Sequence, residues 1–317
     1  MKIFFLLLLS MLSSALYSQN YLRYYKNTNK AEVKIVEAQY DSALFYYDKA
    51  FASVDIKYIK DLYNAAICAS YTGKTSIGIQ YITTILSKGI SYKLIKNRAF
   101  SPLKTDKSWS IMMKNRKMLV EKGRRNWNYK LKAELDSIYK LDQKFRKKAG
   151  SYKVYRDTIN ALDNVNMRIM NGIISEFGYP DENIIGIKRL IDMYMPDYYI
   201  IIRHYYQKKG YDLSDVLLKE VEKGHLHPRV FAELEDKKNN WLFKDDKYGT
   251  VVFMKTNGVI KEVNRSNEQL LKYNINRELI GLESYEDYKR KVEFSEKKTP
   301  FCFCISEGIV NFIMKKN

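Results

Sequence analysis

Apolar positions recur at three- and four-residue steps along most of the chain, which predicts a mainly helical protein. Leu131, Leu135, Ile138 and Phe145 form one such stripe and predict a helix from Leu131 to Lys148. Ile159, Leu162, Ile169, Met170, Ile173 and Phe177 predict a second, from Asp157 to Phe177. Polar residues interrupt both stripes. Asp142 stands four residues after Ile138, Asn166 lies near the centre of the second stripe and Asp163 at its edge. A carboxylate or amide facing a core costs free energy unless it is paired. Two neighbouring helices that both carry this cost predict a shared polar cluster.

Upstream, from Tyr21 to Lys122, large and small residues alternate at helical steps. Tyr40, Ala43, Tyr47 and Ala50 mark one helix, and Tyr63-Asn64-Ala65-Ala66 another. A turn at Thr72-Gly73-Lys74 comes next, then a partner helix with Gly78, Ile82 and Ile85. Small residues at Ala43, Ala65 and Gly78 let antiparallel helices approach closely. These phrases resemble the tetratricopeptide repeat over less than two repeats, with glycine where alanine is usual at Gly78. Fewer than three repeats are rarely stable alone. The segment from Ser101 to Met118, with Trp109, Met112 and Met113, is expected to cap them. The resemblance implies a partner protein or peptide bound through the repeats; the plainer expectation is a packing platform for the next domain.

Gly123 to Tyr129 is the expected boundary. Beyond the two central helices, Gly178 and Pro180 end the second, and Asp181 or Asn183 can cap a third over Ile184 to Met195. Asp197 can cap a fourth, Tyr198 to Lys208, carrying Arg203-His204. A fifth opens at Asp212 or Ser214 and ends at Gly224. A sixth runs from Pro228 to Lys238. After Trp241 the period changes, and Asn257-Gly258 between Val251-Val252-Phe253-Met254 and Val259-Ile260 predicts a β-hairpin. A last helix is expected from Glu278 to Lys291, then a mobile tail, 293–317. The fold class is therefore mainly α: tetratricopeptide-like helical hairpins (21–122), then an α-helical domain with a small β-hairpin (131–292).

The start of the chain changes the picture of where this protein works. Lys2, the apolar run Ile3 to Leu9, and small residues at Ser13, Ser14, Ala15 and Ser18 predict an export leader over 1–18, cleaved after Ala15 or Ser18. No cysteine comes after the run, so no lipid anchor is expected there. No later stretch is long and apolar enough to span a bilayer. The mature protein is expected to be soluble, secreted or periplasmic. Three cysteines are too few for a disulfide scaffold. Cys68 reads as a core residue, and Cys302 and Cys304 as free thiols or at most a labile bridge.

The formal net charge is +19, and it is uneven. Between Lys96 and Lys148, 17 Lys or Arg face 5 Asp or Glu. This basic stretch suits an anionic polymer; a solvated lysine-rich surface is the plain alternative. Export and the lack of any recognition motif argue against nucleic acid.

One ordered set of residues resembles an uncharacterised family of bacterial domains of unknown function, often found in exported proteins and sometimes behind tetratricopeptide-like helices. The set runs Asp142-Gln143 with Arg146, Asp163 with Asn166, Ile174 to Pro180, His204, Ala232-Glu233-Leu234 with Asp236, Tyr248-Gly249-Thr250, and Arg277 with Gly281-Leu282. The chain departs from that pattern at Arg203, Lys237 and Val251. The resemblance implies no known reaction. It marks Asp142, Arg146, Asp163, Asn166 and His204 as candidate catalytic residues, and Gln143, Arg203, Asp236, Tyr248, Thr250 and Arg277 as candidate ligand contacts.

No nucleophile elbow, zinc-protease helix or phosphate-cradling glycine loop is present. His225-x-His227 alone is too weak a signal for a metal, and no metal or cofactor is expected. Three readings fit these residues. The first is an exported protein- or ligand-binding protein with a polar pocket. The second is a hydrolase using Asp142, Asp163 or His204 as acid or base, with Arg146 or Arg203 holding an anionic group. The third is a buried network that only fixes helix register.

Overall fold

Four helices open the described part of the chain as two antiparallel hairpins: α1 (Tyr21–Val36), α2 (Tyr40–Phe51), α3 (Ile59–Tyr71) and α4 (Thr75–Ser87). The structure is a computed structural model that describes residues 20–193, 195–206, 212–240, 246–257, 259–305 and 309–311. The expected leader, residues 1–18, lies outside them. A short helix, α5 (Tyr92–Ile95), and two 3₁₀ turns lead to α6 (Lys107–Arg124). Ala43, Ala65, Ala66 and Ala69 are fully buried where the hairpins pack, with Tyr47 and Ile67 filling the space between.

Next come the long helices α7 (Tyr129–Arg146) and α8 (Ser151–Phe177), joined through Gly150. Asn128 caps the first by accepting from Leu131 N. Then come α9 (Tyr199–Tyr206), α10 (Ser214–Glu222) and α11 (Pro228–Asn240). Strands β1 (Phe253–Thr256) and β2 (Val259–Glu262) pair antiparallel, with Thr256 opposite Val259, which is the expected hairpin. Helices α12 (Asn267–Leu279) and α13 (Tyr285–Ser295) come after it, and β3 (Ile309–Asn311) adds to β1 in parallel. The protein is thus mainly α with one small sheet, strand order β2-β1-β3. Among the described residues no helix is long and apolar enough to cross a membrane.

Three local expectations are corrected. Residues 184–195 do not form a helix. Asp181 accepts from Asn183 N and Ile184 N, closing a turn instead, and only a 3₁₀ turn comes after it, at Leu190–Met193. Gly186 is left-handed (φ 66°) against the Trp127 ring, where a Cβ would overlap Trp127 Cζ2. Helical backbone cannot continue through that contact. The expected last helix is two. Gly281 (φ 81°) breaks it and Ser284 caps a fresh start.

The third correction concerns the expected mobile tail, which packs through Cys304 and pairs again with β1 at β3. Phe301, Phe303 and Cys304 are buried, and Asn64 clamps the Cys302 backbone, donating to its carbonyl at 2.8 Å and accepting from its N–H at 2.9 Å. Phe301 stacks on Tyr40. Polar patterning hid this, because Asn64 reads locally as a helix-surface residue.

The cores do not respect sequence order. Tyr21, Tyr24, Tyr25, Val54 and Tyr58 from the first hairpins share one core with Leu131, Leu135, Met170, Ile202 and Leu226. Phe301 and Phe303 join the core of α3 and α4. Apolar burial of this extent is the dominant stabilising term.

Candidate functional site

Asp142 is the hub. Its side chain is fully buried, and three groups converge on it. Gln143 Nε2 donates to Oδ2 at 2.7 Å. Arg146, one turn along α7, donates Nη1 to Oδ1 at 2.9 Å. That spacing is the one at which side chains on a helix meet. Arg146 Nη2 reaches across to α8 and donates to Asp163 Oδ1 at 2.6 Å and to the Tyr152 hydroxyl at 3.2 Å. From α9, His204 places Nδ1 at 3.2 and 3.1 Å from the two Asp142 oxygens. Burial works to lower the Arg146 pKa, but the Asp163 hydrogen bond and the charges of Asp142 and Asp163 outweigh it, and the net direction is upward. The guanidinium is therefore a permanent charge.

Two features distinguish this cluster from a closed ion-pair network. The His204 side chain is 17% exposed, so one member reaches solvent. Asn166, one turn beyond Asp163 on α8 and fully buried, makes no hydrogen bond from either amide atom among the described residues. An unmade buried amide costs about 1–3 kcal/mol. A carboxylate can only accept, so Nδ1–H is the donor to Asp142 and Nε2 is the ring nitrogen left to meet a ligand. Arg203 sits beside His204 on α9, half-buried.

The other candidate contacts collect elsewhere. Asp236 on α11 accepts from Lys247 N and Tyr248 N through Oδ1, and from Thr250 N and Thr250 Oγ1 through Oδ2, all at 2.7–2.9 Å. Arg277 donates Nε to Glu283 O at 2.7 Å and Nη1 to Tyr248 O at 2.9 Å. Burial, with Arg229 nearby, brings the Arg277 pKa down to about 9. Asp236, Tyr248, Thr250 and Arg277 thus engage one another and the loop they hold, not Asp142.

Sequence reasoning missed a third group, the largest. Glu32 on α1 is paired by Lys60 through Oε1 and by Lys291 through Oε2. Lys60 also meets Asp61 at 2.6 Å, and Tyr24 donates to Asp61 at 2.6 Å. Lys291 meets Glu283 at 3.1 Å, and Arg229 meets Glu283 at 2.6 Å with its guanidinium 3.6 Å from the Tyr288 ring centroid. None of these charged side chains is more than 3% exposed. Lys60-Asp61 at a helix start reads locally as a solvated pair, and nothing near Glu32 announces burial. The signal lies only in the meeting of segments far apart in sequence.

His225 contacts Glu220 at 2.7 Å. His227 accepts from Arg229 N and is kept neutral, its pKa driven well below the ordinary value by burial and by Lys60 and Arg229. The two do not converge, and among the described residues no group of three His, Cys, Asp or Glu is arranged to hold a metal. The three cysteines are free. Burial pushes the Cys302 thiol up to about 11 and raises Cys304 further, so neither is an activated nucleophile. Comparison with protein-family models, with curated proteins and with solved structures finds no match.

Proposed function

We propose that this chain is an exported binding protein, periplasmic or at the cell surface, whose cluster around Asp142 takes a small polar ligand. The observation that carries this reading is Asn166. It is a fully buried amide with neither atom hydrogen-bonded among the described residues, one turn from Asp163 and beside an Arg–Asp–His network. Such a group is held there against stability. Binding supplies the reason that packing does not. Asp142, Arg146, Asp163, Asn166 and His204 form the ligand contacts, with Gln143 and Tyr152 orienting two of them. The sequence of residues 1–18, which reads as an export leader, supports this reading. The helical hairpins offer a docking platform for a partner protein or peptide, and the lysine-rich stretch over 96–148 a surface for an anionic polymer.

A hydrolase is the second reading, favoured by His204 Nδ1 lying against both Asp142 oxygens. There Asp142 orients His204, whose Nε2 acts as base on a water, and Arg146 balances the charge.

The test is a thermal-shift screen of amino acids, dipeptides, sugars and nucleosides, on wild type and on Asn166→Leu. A ligand that raises the wild-type melting temperature and leaves the variant unmoved is the expected result. No shift for any class, with Asn166→Leu destabilised by about 1–3 kcal/mol in urea, would leave the cluster a structural network.

A further inference from the structure

Helix α6 is oriented by its inner face. Trp109, Met112, Val120 and Gly123 are buried there. Gly123 packs so closely on the turn after α4 that a Cβ would overlap Gly89 N. The opposite face is left in solvent. Six exposed positions on it recur at three- and four-residue steps: Lys107, Ile111, Lys114, Met118, Lys122 and Arg125. Lys117 flanks them, and Glu121 is the one acid on that face. Ile111 and Met118, the apolar members, are each 61% exposed.

The charge on this face is not compensated. None of its five cations makes an ion pair among the described residues. The neighbouring α4 carries no charged residue. From Lys88 to Lys132 the chain holds 14 Lys or Arg against Asp106 and Glu121. Asp106 is occupied in capping α6, accepting from Ser108 N and from the Thr75 hydroxyl. Elsewhere exposed cations do find carboxylates, as Lys188 finds Asp136. A cationic face attracts any anion, and the apolar side chains set among the charges select one. A soluble acidic polymer would leave Ile111 and Met118 facing water. A bilayer surface meets lysines at its phosphate headgroups and takes short apolar side chains just beneath them. We propose that the outer face of α6 docks on an anionic phospholipid surface, with Ile111 and Met118 as shallow anchors between Lys107, Lys114, Lys122 and Arg125. This rests on the reading of the lysine-rich stretch as a surface for an anionic partner, but makes that partner a lipid surface and not a soluble chain. With one helix face and two anchors, the attachment is reversible.

Flotation of the full chain over a range of lipid concentrations tests this, with phosphatidylcholine vesicles that contain either no phosphatidylglycerol or about a third. The anionic lipid should strengthen binding at least about tenfold, and raised salt should remove most of that gain. Lys114→Glu with Lys122→Glu should abolish the gain. Ile111→Ser with Met118→Ser should weaken binding to the anionic vesicles severalfold and leave binding to dextran sulfate unchanged. Residues 1–18 are the same in every variant, so whatever they add to lipid binding is common to all. The four altered positions are exposed, and circular dichroism checks that each variant folds. No gain from phosphatidylglycerol overturns the proposal, as does a gain that survives the lysine exchanges. A gain indifferent to the serine pair also overturns it and, with dextran sulfate bound, leaves a soluble polymer as the partner. Binding to neither anion removes the anionic partner altogether.

Discussion

Two regions of this protein bury charge, and they do it differently. Around Glu32, each carboxylate meets at least two cations or a cation and a hydroxyl, and the members come from α1, α3, α11, α12, α13 and the segment before α13. Some atoms there stay unbonded, such as Arg229 Nη1 and Glu283 Oε2, but each of those groups keeps a strong partner. Around Asp142, the paired groups come from three consecutive helices, one histidine is open to solvent, and Asn166 has no hydrogen-bond partner among the described residues. A buried pair breaks even at best against a well-packed apolar core, but breaking one strands its partner. The first region therefore reads as a lock that joins early helices to late ones. The second reads as a site left incomplete.

The largest expected effect is on the lock. Glu32→Leu removes the carboxylate shared by Lys60 and Lys291, which keep only Asp61 and Glu283 as buried counter-charges, and should cost about 3–5 kcal/mol in urea unfolding. A cost under about 1 kcal/mol would erase the distinction between the two regions.

Next in size is a carboxylate beside the lock whose burial outweighs its pairing. Glu182 Oε1 accepts from Ile59 N at 2.6 Å, and burial raises its pKa from 4.5 to about 8 despite the pull of Lys88. Below pH 4.5 both folded and unfolded chains carry the proton, and the shift costs nothing. Between about 4.5 and 8 the folded chain keeps a proton that the unfolded chain has lost, so this group makes stability fall as pH rises. The slope is at most about 1.4 kcal/mol per pH unit. Glu182→Gln removes that slope, so the stability of the variant minus that of wild type should grow from pH 5 to pH 8. A difference independent of pH would mean that Glu182 titrates normally.

Within the second region, Asp142→Leu strands Arg146, which keeps Asp163, and frees His204. A loss of about 1–3 kcal/mol is expected, smaller than for Glu32. Asn166→Leu should do least, from neutral to stabilising by roughly 0.5–1 kcal/mol, because no hydrogen bond is lost. A larger loss from Asn166→Leu than from Asp142→Leu would reverse the comparison.

Much of the second region is legible in the chain. Asp142 interrupts the apolar stripe of one helix and Asn166 that of the next, with Asp163 at its edge, so local periodicity predicts that these three meet the core; Arg146, one turn after Asp142, reads only as its partner on the helix surface. His204 follows from Ile200 and Ile201 one turn before it. Asp236 and Tyr248-Gly249-Thr250 stand out in the chain, but their role does not. Only the fold shows that the carboxylate accepts the loop's N–H groups. Lys60, Lys291 and Arg229 are not legible at all, since a lysine at a helix end reads as solvated wherever no partner is near in sequence.

Local spacing alone dictates the helical hairpins, the two central helices with their polar interruptions, and the Asn257-Gly258 hairpin. These rest on patterns within about a dozen residues, where helix and strand geometry set which side chains share a face. Long-range packing settles the remainder. Trp127 holds Gly186 in a turn that abolishes an expected helix, Asn64 clamps the chain near Cys302, and Glu32 waits more than two hundred residues for Lys291. Such contacts leave no local trace, because a buried charge and a solvated one are the same letters until the partner arrives.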